Sequence, residues 1–236
     1  GKTCRDVKPA LVTVVPKTVY VDGASTSPVS PYDAPEKAAK TLKDVLPVCG
    51  EGTEVRIVPN EYSEDTVIDK SVRIVGTGAS PEDVRQKKRW TIKAPGVQIA
   101  GVTFTGCTGR FYVDSPNAVF TNCVAVGNVS TDNSGTTGAF TDCTLHDCIV
   151  RDNGYATYGG ATRSCTVYGG FITGNYAYYG GAGYESEFYG VKISNNCARC
   201  YGGAAYSGRL VDCHVIHNYL VGPGKTDVDA LGGASQ

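Results

Sequence analysis

The residues best equipped to do chemistry are crowded between positions 142 and 152, where Asp142, His146, Asp147, Arg151 and Asp152 fall together. An elimination reaction on an acidic sugar polymer needs a base, a cation to neutralise the substrate carboxylate and a phenol within a few ångströms. His146, Asp147, Arg151 and Asp152 are the catalytic candidates on that ground. The competing account is a solvated face whose ion pairs are each worth under about 1 kcal/mol. Tyrosine is the second concentration: of 15 in the chain, most lie between Tyr155 and Tyr219. Tyr155, Tyr176 and Tyr178 follow closely on asparagines, and exposed rings flanked by Asn and Asp suit the apolar faces and hydroxyls of sugars. They are the ligand-binding candidates. Tyr158, Tyr179 and Tyr201 form another row, expected to fill a corner of the fold, with Tyr184 and Tyr206 in a row beyond it.

Both groups are placed by a repeat. One phrase recurs between Val97 and Asn218 and ends at Cys107, Asn128, Asn153, Asn175, Asn196 and Asn218, with steps of 21, 25, 22, 21 and 22. Three residues before each end stand Phe104, Ala125, Val150, Ile172, Ile193 and Val215. Five before stand Val102, Cys123, Cys148, Gly170, Val191 and Cys213, and eight before stand Ile99, Phe120, Leu145, Val167, Phe188 and Leu210. All are apolar or Gly. The offsets of three and five are neighbours on one face of a strand, with Thr103, Lys192 and His214 between them expected to face water. The odd step from eight to five demands a turn, and Thr121-Asn122, His146-Asp147, Tyr168-Gly169 and Tyr189-Gly190 supply turn chemistry.

A unit of about 22 residues built of short strands cannot bury its apolar side alone, whereas stacked copies can. With 30 Gly in 236 residues and β-branched or aromatic residues at the apolar positions, a helical repeat is disfavoured. The expectation is an all-β parallel β-helix in which each residue lies about 4.8 Å above its counterpart one coil earlier. Asn128, Asn153, Asn175, Asn196 and Asn218 would then form a structural ladder, each amide bonding to the next and to a corner that prefers left-handed dihedrals. The row two before each Asn reads Thr105, Val126, Arg151, Thr173, Ser194 and Ile216, too irregular for ice binding.

The ten cysteines mostly obey the same period. Cys123, Cys148 and Cys213 share one inward position and Cys143 and Cys165 another, as stacked small hydrophobes or as bridges between adjacent coils. Cys197 and Cys200 make a lone CxxC, weak evidence for zinc without a second pair. No metal site is expected. Cys4 and Cys49 lie outside the array and could tie the N-terminal arm to the cap. A net charge of -1 gives no reason to expect nucleic acid, and no apolar run suggests membrane insertion within this segment. The absence of Met and of a signal peptide suggests a mature or trimmed chain.

The chain reads as a single domain, 1–236. Residues 1–52 form an N-terminal arm and capping helix, 53–96 the first coils with a polar insertion at 77–89, and 97–236 the repeated coils. Leu11 to Val15 suggests an edge strand and Thr18 to Val21 another. A capping α-helix over about residues 34–46 is expected, with Asp33 and Glu36 as a capping box, Ala38, Leu42, Val45 and Leu46 on one face, and Pro47 as its stop. It would cover the open apolar end of the stack.

The stretch from Gly52 to Gly76, GTEVRIVPNEYSEDTVIDKSVRIVG, resembles the opening coils of pectin lyase-like right-handed parallel β-helix proteins, with Asn60 where Gly is usual. Tyr158-Gly-Gly-Ala161, Tyr179-Gly-Gly-Ala182 and Tyr201-Gly-Gly-Ala204 resemble the Gly-Gly-Ala/Asn repeats of bacterial surface β-helix proteins of the polymorphic outer-membrane and adhesin types. These resemblances imply a right-handed, single-stranded β-helix at the cell surface or outside the cell. They specify fold more than activity. The Gly-His-Gly of polygalacturonases, the Trp-Ile-Asp-His of pectate lyases and the Gly-Arg-Pro-Trp of pectin methylesterases are missing. The favoured reading is a secreted or cell-surface module, structural, adhesive or glycan-contacting, with a polysaccharide or surface glycan as partner and no cofactor. The alternative is a lyase or hydrolase of the pectin lyase-like group acting on an acidic polysaccharide, with calcium. Leu231-Gly-Gly-Ala234 reads as the start of a further unit, leaving open whether the array runs past residue 236.

Overall fold

A computed structural model describes residues 14–107, 117–129 and 138–221, and the chain in it winds as an all-β parallel solenoid. The longest wall is a nine-stranded sheet that starts at Thr18–Val21 and Glu54–Ile57, passes through Gln98–Ala100, Ala118–Thr121, Cys143–His146, Thr166–Tyr168 and Glu187–Tyr189, and ends at Arg209–Val211. The second wall is an eight-stranded sheet from Asn60–Tyr62 through Val124–Val126, Ile149–Arg151 and Phe171–Thr173 to His214–Ile216. From residue 138 onward two further four-stranded sheets complete each coil. One holds Ala156–Tyr158, Tyr176–Tyr179, Cys197–Tyr201 and Tyr219–Leu220, the other Phe140–Thr141, Thr162–Arg163, Gly183–Tyr184 and Ala205–Tyr206.

The register is the one that the period requires. Leu145 lies between Phe120 and Val167, and Val150 between Ala125 and Ile172, all paired parallel. Ile99, Phe120, Leu145, Val167 and Phe188 are buried in a single column, and Trp90, Phe104, Phe120 and Phe140 run edge to face through the interior at 4.9 to 6.2 Å. In the last described coil Leu210, Cys213 and Val215 are only partly buried, since among the described residues nothing is stacked beyond them.

The five asparagines form the expected ladder. Asn175 Oδ1 accepts from the backbone N–H of Asn153 at 3.1 Å and from its Nδ2 at 2.9 Å, and Asn175 Nδ2 donates to Asn196 Oδ1 at 2.9 Å and to the Val150 carbonyl at 2.9 Å. The same exchange joins Asn128 to Asn153 and Asn196 to Asn218, and Cys107 N–H donates to Asn128 at the foot of the ladder. The left-handed residue at this corner is the one before each Asn: Gly127, Asp152, Gly174, Asn195 and His217. The asparagines therefore serve by their amides, not by tolerance of an unusual backbone.

Four expectations are corrected. The capping helix is broken in three: a 3-10 turn Pro35–Lys37, the α-helix Leu42–Val45, and a 3-10 turn Leu46–Val48 that includes Pro47. Asp33 pairs with Lys37 Nζ at 2.9 Å and Ala34 is the uncapped entry residue, while Thr41 accepts from Asp44 N–H and starts the true helix. The interruption is the strand-like bridge of Ala39 to Val21, whose two backbone hydrogen bonds, 2.7 and 3.0 Å, compete with helical ones. The apolar face is nonetheless right, since Ala38, Leu42, Val45 and Leu46 are all buried against the first coil.

Secondly, the segment 77–89 is not wholly an insertion. Val84–Gln86 is a strand of the second wall between Asn60–Tyr62 and Thr103–Thr105, with Val84 and Gln86 buried, and Gln86 Nε2 held by the carbonyls of Glu64 and Lys88. Its polarity hid it, because an inward Gln whose Nε2 donates to backbone carbonyls looks in sequence like a surface residue. Thirdly, Lys192 and His214 do face water, but Thr103 is buried, as is Val124 above it. Fourthly, Val14 and Val15 are exposed and outside any strand, and residues 11–13 of that expected edge strand lie outside the described residues.

Replacing Asn175 by Ala removes the acceptor of the Asn153 backbone N–H and of one Asn153 Nδ2 hydrogen in the interior, leaving that Nδ2 only the Ala125 carbonyl. At about 1–3 kcal/mol for each buried orphan, a loss of about 4 kcal/mol is expected in chemical denaturation. The substitution Leu42→Asp places a carboxylate at the covered end and is expected to lower the melting temperature by about 10 °C, readable by differential scanning calorimetry.

Candidate functional site

The outer surface around Tyr158, Tyr179 and Tyr201 is built by the two glycines that follow each of them. Gly159, Gly180 and Gly202 have φ of 64°, 68° and 66°, and a Cβ on them would stand 1.9, 2.1 and 2.2 Å from the carbonyl oxygens of Thr162, Gly183 and Ala205. The chain thus doubles back in a space that admits no side chain. This bend brings the outward rings on either side of it into contact.

On one side Tyr158, Tyr179 and Tyr201 stack with centroids 5.6 and 6.0 Å apart and planes 14° and 10° from parallel. Tyr184 and Tyr206 stand on the other side, 5.7 Å apart. Across the bend Tyr158 meets Tyr184 at 4.7 Å, and Tyr206 meets Tyr179 at 5.8 Å and Tyr201 at 5.6 Å. Tyr178 joins through Tyr179 at 4.8 Å. Two guanidinium groups border the patch, Arg163 over Tyr158 at 5.4 Å and Arg199 over Tyr178 at 5.5 Å. Tyr201 is 54% and Tyr178 37% exposed, and the other four are half-buried. Loss of solvent around the crowded rings is the largest cause that raises Tyr179 and Tyr184 above the usual phenol range, so both stay neutral near pH 7 and can donate or accept.

The three tyrosines singled out by sequence are divided by the structure. Tyr178 belongs to this patch. Tyr155, 70% exposed, instead meets Tyr176 edge to face at 5.8 Å one row away. The row at 158, 179 and 201, expected to fill a corner, is the spine of the outer surface. The signal for it was present in the constant offset from Tyr184 and Tyr206, but the direction of a bend is not readable from spacing.

The proposed catalytic residues His146, Asp147, Arg151 and Asp152 lie across two walls and two corners. His146 stacks flat on Tyr168 at 5.0 Å, and Tyr168 on Tyr189 at 5.2 Å, on the nine-stranded sheet. Arg151 lies in the eight-stranded sheet and pairs with exposed Asp152 at 3.1 Å. Asp142, Asp147 and Asp152 all occupy left-handed corners, with φ of 53°, 50° and 58°. Asp147 shares its corner with Asn122, Gly169 and Gly190, Asp152 with Gly127, Gly174 and Asn195, and Asp142 with Ser164, Glu185 and Ser207. Backbone geometry accounts for small or Asx residues there. An Arg-x-Lys tripeptide like that of the polygalacturonases does stand at Arg85-Gln86-Lys87, without the Gly-His-Gly. Its Gln86 is buried and its Lys87 is paired with Glu61 at 2.6 Å. Among the described residues no three His, Cys, Asp or Glu side chains converge where a metal ion could sit, and no helix is long and apolar enough to cross a membrane.

The cysteines behave mainly as small hydrophobes. Cys123, Cys148 and Cys213 each donate a thiol to a carbonyl one coil earlier, at 3.6, 3.6 and 3.4 Å. Cys49 donates to the Val45 carbonyl at 3.2 Å, and Cys4 lies outside the described residues. Burial pushes Cys49 and Cys107 up to about 11 and Tyr62 up to about 12.

No protein-family model matches this chain, and no curated protein or solved structure matches it. What the molecule itself establishes is a parallel β-solenoid with a buried asparagine ladder.

The raised thiols and phenol fix the sign of one pH effect. Each acid is held neutral in the folded chain and ionises first in the unfolded one, so stability declines as pH rises through the unfolded values. Denaturation midpoints are expected to fall steadily from about pH 9 toward pH 11, and more gently after Cys107→Ala than in the unaltered chain.

Proposed function

We propose that this chain is a structural module of the cell surface or extracellular space that contacts a carbohydrate through the tyrosine patch at the Gly-Gly bend. The observation that carries this reading is the meeting of two outward tyrosine columns, Tyr158, Tyr179 and Tyr201 with Tyr184 and Tyr206, on a rigid bend. Large aromatic faces that remain partly exposed on a soluble fold ordinarily mark a binding surface. Phenol rings offer flat apolar area to a sugar's C–H face at little entropic cost, and their hydroxyls can serve sugar hydroxyls. Parallel coils repeat along the axis, so the surface offers similar contacts at each level and suits an extended polymer.

The likeness of Gly52 to Gly76 to pectin lyase-like proteins supports a sugar ligand, because enzymes of that group act on polysaccharides. The likeness of the Tyr-Gly-Gly-Ala phrases to bacterial surface and adhesin-type repeats supports the location. Binding without turnover is favoured by the corner role of Asp142, Asp147 and Asp152 and by the stacking of His146 on Tyr168.

Glycan arrays followed by titration calorimetry test the assignment. The double variant Tyr179→Ala, Tyr201→Ala is expected to weaken binding at least about tenfold, or about 1.4 kcal/mol, with Tyr155→Ala close to unaltered. Undiminished binding by the double variant, or a greater loss from Tyr155→Ala, would remove the patch from consideration.

A further inference from the structure

Beneath the outer surface, on the inward side of the same coils, two cysteines face one another. Cys143 and Cys165 are separated by 22 residues along the chain and occupy equivalent positions on consecutive coils, and their Sγ atoms are 3.6 Å apart. The pairing of Thr144 with Thr166 sets this register. Both side chains are buried, at 5% and 2% exposure. The column they share also contains Ala118 below and Ser186 above, so small residues are what the space admits. Cys123 and Cys148, also neighbours one coil apart and in side-chain contact, each donate in addition to a backbone carbonyl of the preceding coil, whereas Cys165 donates to the Arg163 carbonyl of its own coil. Cys213 lies over Val191 and has no cysteine in register one coil earlier.

We propose that Cys143 and Cys165 close to a disulfide that staples these two consecutive coils when the folded chain meets a disulfide oxidant. Aligned residues on neighbouring parallel strands stand about 4.8 Å apart, within the range of Cα separations that a disulfide spans, and the sulfurs need to approach from 3.6 Å to bonding distance. One thiol, as thiolate, attacks a sulfur of glutathione disulfide and releases one glutathione. The second thiol, having lost its proton, attacks the mixed disulfide and releases the other. The two cysteines are oxidised by two electrons, one glutathione disulfide is reduced to two glutathiones, and the two thiol protons are carried off by them. Burial holds the Cys143 thiol protonated, which makes the reaction slow and the product, once formed, hard to reach with reductant. The staple joins the longest coil of the array, the 25-residue step from Asn128 to Asn153, to its neighbour.

The test oxidises the full chain with glutathione disulfide, blocks remaining thiols with N-ethylmaleimide in denaturant, and maps peptides by mass spectrometry without reduction. The expected product has one internal link, Cys143 to Cys165, carries no added glutathione, and melts several degrees above the reduced chain. The link is expected to vanish in Cys143→Ala and in Cys165→Ser, replacements that neighbouring coils already carry as Ala118 and Ser186, and to persist in Cys213→Ser. Recovery of Cys143 and Cys165 as maleimide adducts, as separate glutathione adducts, or linked to other cysteines would overturn the proposal.

Discussion

Everything in this molecule rests on parallel coils hydrogen-bonding in register, with each side chain lying over its counterpart. A coil on its own has strands of two to five residues and no means of burying an apolar face. Pairing with the coils above and below satisfies its backbone and encloses Ile99, Phe120, Leu145, Val167 and Phe188 in a buried apolar column. The asparagine ladder extends the same hydrogen bonding into a corner, where strands are interrupted and backbone donors would otherwise be stranded. Each amide is both donor and acceptor to its neighbours, so the ladder rewards a period that holds and penalises one that slips.

Corners are what the repetition leaves to be solved locally. Left-handed residues recur at four places per coil in the later array, and the chain fills them with Gly, Asn, Asp and Ser, once with Glu and once with His. That requirement concentrates acids between positions 142 and 152 and creates, in sequence, the outline of an active site. In space the same acids are distributed over three corners, with Arg151 and His146 on different walls. A cluster along the chain is therefore a poor guide to chemistry in a solenoid, where residues 22 apart are closer neighbours than residues five apart.

The tyrosine patch follows from the same stacking applied to the outside. Rings repeated at the coil period must stack, and the Gly-Gly bend folds one stack against the other. Face-to-face contact of phenols within about 6 Å contributes modestly to stability, on the order of 1 kcal/mol per pair. Its larger consequence is rigidity: the rings are held by neighbours above, below and across, so a ligand meeting them need not first order them. Arg163 and Arg199 lie over rings of the patch and give its border positive charge.

The stacking is legible in the order of residues alone. The period from Cys107 to Asn218, the columns at three, five and eight residues before each end, and the asparagine ladder are periodic features, and a parallel solenoid converts sequence period directly into vertical contact. Features that break the period were beyond it. Propensity makes the capping segment one helix because it cannot see the bridge between Ala39 and Val21. Val84–Gln86 looks like part of an insertion in sequence because a buried Gln whose Nε2 is held by carbonyls resembles a solvated one. The outward placement of Tyr158, Tyr179 and Tyr201, and the approach of Cys143 to Cys165, were decided by tertiary structure, since spacing states which residues share a row and only the path of the backbone around the coil states which way that row points.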